Sequence, residues 1–434
     1  MNKFSKKSRM TSALLMAVML ISSTFLFAAG TQEKEEGPVE LTVWDFKYSE
    51  EVVGGALKDM DALFMENNPD VIINHVAQPH DNYYEILAAA LSSGEGPDVI
   101  MAHTDQRIWN LEEFLLDLDG YIGDWKDDMA DSAWEACSST KEADKNIKLI
   151  PLTAQGLGIY YNKANFELAG VDTSTVPSDW DTFLDTCEQL KQAGITPIIS
   201  GNGGMPFGID FAYRTILANF YGKDLTGFSD GTANFTDEEF IAATRMLKTL
   251  FSKGYVNVEN ATMPYFMDAI ERFKAGEGGF FFGLTSDIAH WKDFGEAFGY
   301  ENLGYMPSIN SSEAKYSDRQ SNQGAGIAFG IVNDSEHAQE AADYLYALVH
   351  GESASLFLSR TGAIVPNKAL PIENESLATV VDYMSNNGVP DFYVQLDAAF
   401  GSEMYNYIQL FFLTEEITLN EYIEKLQKAY ELNL

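Results

Sequence analysis

Cysteine is nearly absent: the 434-residue chain holds two, Cys137 and Cys187. Each lies in a helix-like stretch, DSAWEACSS and WDTFLDTCEQL. Two thiols are no disulfide framework, and two separate buried thiols are expected. Histidine is also scarce, with six residues scattered at 75, 80, 103, 290, 337 and 350. There is no CxxC, no HExxH and no Cys/His cluster, so neither a metal site nor a cofactor is expected. Positive charge is short: 28 Lys and Arg stand against 65 Asp and Glu, a formal net charge of −37. Nucleic-acid binding rests on Lys and Arg neutralising phosphates, and this chain would repel a polyanion. An anionic membrane surface is disfavoured for the same reason. What is present is core material: apolar residues make up 46% and aromatics 13%, enough to exclude disorder and to fill two domains.

Only one apolar run is long, and it sits at the start. Lys3, Lys6, Lys7 and Arg9 precede apolar residues from about Ala13 to Phe27, closed by Ala28, Ala29 and Gly30. That order predicts a secretory signal over 1–30, cleaved near Ala29 or Gly30 and followed by a polar tether over 31–37. The alternative is an uncleaved anchor, for which the run is a little short. No Cys stands at the small-residue close, so a lipidated lipoprotein is not supported. The expected location is therefore exported and periplasmic. Loss of the four cations would carry the net charge from −37 to −41.

Further along, short strand-like and helix-like stretches alternate. VELTVWDF (39–46), VIINHV (71–76) and PDVIMA (97–102) read as strands, and 53–68 and 83–96 as helices. Alternation over short loops predicts an α/β fold with largely parallel sheets. Residues 111–122 read as a helix and turn, and 335–360 as one long helical region. The stretch 235–256 reads as an amphipathic helix capped by Thr236, and the C-terminal 70 residues or so as mostly helical. In open α/β sheets, functional residues gather beyond the carboxyl ends of strands. That singles out Trp44, Asp45, Phe46 and Tyr48 after the first strand, and His103, Thr104 and Asp105 after the third. SGNGGMPFG (200–208) lacks the residues of a phosphate-binding loop and reads as a turn that lets backbone approach a ligand.

In this order the motifs resemble the extracellular solute-binding proteins of ATP-driven importers, specifically the carbohydrate-binding, maltose-binding-protein-like family. FMENNPDVIINHV, LAAALSSGEGPDVIMAHTD, LEEFLLDLDGYI and FKAGEGGFFFG are similar to successive family segments. The most distinctive run is IPLTAQGLGIYYNKANFELAGVD…VPSDWDTFLDTCEQLKQAGITPI. EAADYLYALVHGESASLFLSRTGAIVPNK looks like the closing helix and crossing. The resemblance implies two α/β lobes, each a mostly parallel sheet flanked by helices, with a ligand cleft between them. The first lobe would take about 38–153 and 323–361, and the second about 154–322 and 362–434.

It also implies where a ligand would be met. Thr104 and Asp105 follow the PDV strand, where the family places a sugar-binding carboxylate. Gln155 lies in the first crossing segment, and Asn322 and Gln323 at the second. Gly203, Gly204 and Phe207 belong to a cleft-facing loop, with Arg214 after it. Trp44 and Tyr48 are the stacking candidates of the first lobe, beside Asp45. Relatives often carry Gly-Ser-Trp after the strand equivalent to GGFFFG. Here Gly283, Leu284 and Thr285 stand, so a principal stacking aromatic would be either absent or supplied by Phe211 or Trp291.

Sugars bind through aromatic faces and through planar polar side chains that take paired hydrogen bonds. The expected role is thus the substrate-binding component of a carbohydrate importer. It would be a monomer, without catalysis, delivering a mono- or oligosaccharide to membrane permease subunits. The alternatives are a polyol phosphate, peptide or polyamine as ligand, or a sensing subunit for a chemoreceptor or kinase. A glycoside hydrolase would need one carboxylate pair at a defined separation, and no motif picks one out.

Overall fold

Runs of β-branched and aromatic residues separated by amphipathic helices build two sheets. The computed structural model describes residues 37–139, 145–286 and 289–433. The expected export segment and nearly all of the tether lie outside the described residues. The strands are β1 (Val39–Asp45), β2 (Val71–Ala77), β3 (Val99–His103), β4 (Ile150–Pro151), β5 (Ala154–Asn162) and β6 (Thr196–Ile199). They continue with β7 (Gly278–Thr285), β8 (Leu303–Met306), β9 (Gln320–Ala325), β10 (Ile327–Ile331) and β11 (Gly388–Pro390). One sheet has the order β2-β1-β3-β10-β4, and the other β11-β9-β5-β7-β6 with β8 also on β5.

In the first sheet β1 and β3 run parallel, Val43 beside Val99, while β10 returns antiparallel with Ile327 opposite His103. In the second, β6 runs parallel to β7 and β11 parallel to β9, but β5 at its centre runs antiparallel to β7, β8 and β9, so this sheet is mixed and not mostly parallel as expected. Every residue of β7, GGFFFGLT, is buried, the continuous apolar pattern of a strand covered on both faces. The two sheets belong to one compact unit, Glu40–Leu434.

The chain passes between the sheets at three places, and these are bonded to one another. Thr153 donates its N–H to Ile327 O (3.1 Å), Gly326 donates to Thr153 O (3.0 Å), and Ala154 donates to Ile364 O (2.6 Å). β9 carries the second sheet to Ala325, beyond the 322/323 boundary expected from the sequence.

Local differences from the sequence reading have local causes. The region 335–360 is two helices, Ala338–Val349 and Gly351–Thr361, because His350 is extended and Gly351 takes a positive φ of 56°. The helix within 235–256 starts at Glu238 with Asp237 as its flanking residue, so Thr236 does not cap it. Over 111–122 only a 3-10 turn, Glu112–Phe114, and one short helix, Asp119–Ile122, form. Cys137 and Cys187 are free and buried, and burial pushes both thiols up.

Candidate functional site

Loops that follow the carboxyl ends of β1, β3, β6 and β11 carry polar and aromatic groups of the candidate site, joined by Tyr84, Phe266 and Tyr405 from neighbouring helical segments. This is where ligands bind in open α/β sheets. At the first sheet, Phe46 stacks on His103 (4.5 Å, 17°) and packs against Tyr83 and His80. The Tyr84 hydroxyl accepts the His103 N–H (2.8 Å) and lies 3.1 Å from its ring Nδ1. Asp105 is gripped by Arg107, whose Nε donates at 2.9 and 3.1 Å to the two carboxylate oxygens. The Arg107 guanidinium in turn lies 4.8 Å over the Tyr84 ring. Burial would push the Asp105 carboxyl up; Arg107 outweighs it and holds the group below its usual range.

At the second sheet, the Gly-rich loop after β6 is tied down on both sides. Gly203 donates to Met263 O (2.8 Å), and Gln409 Nε2 donates to Gly204 O (3.2 Å). A Cβ on Gly203 would lie 2.4 Å from Thr262 O, and Gly204 has φ +79°, so both positions require glycine. The segments that hold the loop lead into two π-helical turns, Tyr265–Ala269 and Gln409–Leu413, a conformation that recurs at functional sites. From there a chain of rings runs along the edge. Phe266 lies 5.0 Å from Phe207, Phe207 lies 6.2 Å from Tyr405, and Tyr405 stacks on Tyr393 at 6.0 Å. Phe207 and Tyr393 are half-buried, and Phe266 is 41% exposed.

Beneath the rings lies a buried ion trio. Arg214 donates from Nε to Asp391 and from Nη1 to Asp210, both at 2.9 Å, with its guanidinium over Phe211 and Tyr393. Burial, then Asp210 and, from the other sheet, Asp105 push the Tyr393 hydroxyl up, against the pull of Arg214. The two edges therefore face each other closely enough for their charges to interact.

The residues singled out from the sequence divide accordingly. Asp105, Gly203, Gly204 and Phe207 come to the facing edges. Trp44 is half-buried at the end of β1, where its carbonyl accepts from Tyr83. Gln155 and Gln323 lie half-buried at the crossings, Gln155 with Oε1 over Gly326.

Several of the expected contacts are instead occupied within the protein. Both Asp45 oxygens are used, Oδ1 by the Lys47 and Tyr48 N–H groups and Oδ2 by His75. The Tyr48 hydroxyl donates to Asp61, and its ring stacks on His75. The Thr104 hydroxyl donates to Ala325 O, so Thr104 ties the first sheet to a crossing. Phe211, Arg214, Thr285 and Asn322 are buried. Thr285 Oγ1 contacts Met384 Sδ, and Asn322 bridges β9 to Ser132 of the other side. Trp291 does not replace the missing aromatic; its Nε1 donates to Gly362 O at the third crossing.

Tyr84, Arg107, Phe266, Tyr393 and Tyr405 escaped the sequence reading; each is an ordinary residue of its type until the fold gathers it. Among the described residues no group of His, Cys, Asp and Glu is placed to hold a metal ion, and no helix is long and apolar enough to cross a membrane.

Known proteins share this fold. The chain is 24% identical over 196 residues to the multiple sugar-binding protein of Streptococcus mutans, a match covering 44% of each protein. Its fold resembles a chitin oligosaccharide binding protein, with a TM-score of 0.74 at 19% identity over 91% of this chain and 99% of that one. It also resembles a sugar transporter of Bacillus licheniformis solved in complex with stachyose, with a TM-score of 0.69 at 17% identity, covering 91% and 100%. The chain spans about half the length of the curated relatives it matches. A family model described as bacterial extracellular solute-binding protein matches residues 48–347, and the chain belongs to that family.

Proposed function

We propose that the chain is the substrate-binding component of an ATP-driven carbohydrate importer. It captures a mono- or oligosaccharide between two lobes and delivers it to permease subunits of the membrane. The observation that carries this reading is the presence of partly exposed rings near polar groups on both edges: Tyr84 beside the Arg107–Asp105 pair, and Phe207, Phe266 and Tyr393 beside the Gly203–Gly204 loop, with Phe46 and Tyr405 buried behind them. Rings offer apolar faces to sugar C–H groups, and carboxylates and backbone carbonyls accept from hydroxyls. That relatives are named for sugars supports it further.

In this reading the first lobe is built on the β2-β1-β3-β10-β4 sheet and the second on the other. The lobes close about the crossings at Thr153–Gln155, 325–327 and 362–365. The protein works as an exported monomer, and its negative charge serves solubility.

A panel of mono- and oligosaccharides tests the proposal. One or more is expected to raise the melting temperature, since a ligand at 100 times its Kd stabilises the folded state by about 2.7 kcal/mol. Asp105→Ala is expected to weaken binding at least about tenfold, the loss of one charge-assisted hydrogen bond. Folding stability should move by under about 1 kcal/mol, because the Asp105–Arg107 pair is only partly buried and is screened by water. A panel without any thermal shift removes the carbohydrate assignment; an unchanged Kd removes Asp105 from the site.

A further inference from the structure

We infer that His75 is a buried imidazolium that positions the turn after β1, and with it the first-sheet wall of the ligand site. The geometry favours the charge. His75 Nε2 lies 3.0 Å from Asp45 Oδ2, and Nδ1 lies 2.9 Å from Asp61 Oδ2. A neutral imidazole donates from one nitrogen only and would turn a lone pair toward the other carboxylate; with both carboxylates ionised, only the protonated ring satisfies both. All three side chains are buried. Burial alone would push His75 down. The hydrogen bonds to Asp45 and Asp61, with their charges, overcome this and push it up to about 9.

The two tyrosines facing His75 do not titrate in that window. The Tyr48 ring, stacked at 3.9 Å, and the Tyr344 hydroxyl, which donates to Asp61 at 2.6 Å, are both pushed above the usual tyrosine range, first by burial. Lys58 sits outside, 5.0 Å over the Tyr48 ring.

Asp45 relays this charge to the site. Its other oxygen accepts the backbone N–H groups of Lys47 and Tyr48, so one carboxylate joins His75 to the turn that begins with Phe46. Phe46 stacks on His103, which Tyr84 holds, and Tyr84 carries Arg107 on its face. His75 touches no ligand; it is a positioning residue. Because its folded value lies above the ordinary 6.5, the stability it contributes is fully present below about pH 6.5 and is lost as pH rises through about 9.

The experiment has three readouts. In a histidine-labelled NMR titration, one of the six imidazoles is expected to deprotonate near pH 9 and to vanish in His75→Gln. If every imidazole is neutral by pH 8, the charge assignment is overturned. In the ligand-free protein, the emission that Trp44→Phe removes should shift through the same pH in wild type and stay flat in His75→Gln. A flat wild-type profile overturns the positioning role. Where a saccharide binds, which rests on the function proposed above, its Kd should hold to about pH 8 and weaken about tenfold beyond pH 9. A constant Kd overturns the link to binding and leaves the sugar assignment standing. If no saccharide binds, that assignment falls while the first two readouts still decide His75. Should His75→Gln not fold, Asp61→Asn serves: with one carboxylate gone, the imidazole step must move to lower pH, and an unmoved step overturns the pairing.

Discussion

Arg214→Met is expected to lower folding stability by about 3–5 kcal/mol, the cost of breaking a buried ion pair by removing one partner. Arg214 is 3% exposed, Asp210 1% and Asp391 0%, so no partner can turn to water. Methionine fills most of the space of the arginine stem, which keeps the cavity cost small and isolates the charge effect. Two carboxylates would then remain buried beneath Tyr393 and Phe211 with no cation. Asp210 is already pushed up by burial against the pull of Arg214. A rescue distinguishes charge from packing. Asp391→Asn in the Arg214→Met background removes one stranded charge. The Asn oxygen can still accept from the Tyr393 N–H, as Asp391 Oδ1 does at 2.9 Å. Recovery of at least about 1 kcal/mol is expected, since an unsatisfied buried polar group costs about 1–3 kcal/mol and more when charged. Urea midpoints of the single and double variants read both effects. If Arg214→Met stays within about 0.5 kcal/mol of wild type, as a neutral surface substitution would, the trio does not stabilise the fold.

The trio also shows what a sequence can and cannot disclose. Arg214 and Asp210 are four apart on one helix, a spacing open to inspection. Asp391 is 177 residues further on, and nothing local marks it as the second partner. The same holds for Asp45: a carboxylate at a strand end reads as a ligand contact, and only the fold brings His75 and Asp61 to it. Strands and helices were legible because their periodicity is local. So was the loop at 200–208, because close backbone approach and positive φ leave glycine as the workable residue. The failures were positions where one turn decides, as at Gly351, whose positive φ splits a continuous apolar pattern into two helices. Tyr393 and Tyr405 lay in a stretch readable only as mostly helical. Their role comes from β11 joining the second sheet beside β9, a pairing between Val389 and Ser321 that no propensity predicts.

Adjacent glycines near the first-sheet wall are expected to respond to alanine with opposite signs. Both lie in the helix Val53–Asn67. On helix propensity alone, alanine at either position would stabilise by about 0.5–1 kcal/mol. At Gly55 the nearest atom to an added Cβ is Arg360 Nη1 at 3.6 Å, an ordinary contact at the end of a flexible side chain, so Gly55→Ala should deliver that gain. At Gly54 the added Cβ would lie 2.2 Å from Tyr48 O and 2.9 Å from Lys47 O. These are backbone atoms and cannot swing aside. Moving them means moving the turn that Asp45 pins through the Lys47 and Tyr48 N–H groups. Overpacking of this kind costs typically about 1–3 kcal/mol, occasionally more. The steric term wins over the helix gain, and Gly54→Ala should destabilise by about 2 kcal/mol in urea unfolding. Its displaced turn should also weaken any ligand that Asp105→Ala weakens, whereas Gly55→Ala should leave Kd unchanged. Equal effects of the two substitutions would mean that the turn yields freely, and that the Asp45 network does not hold it.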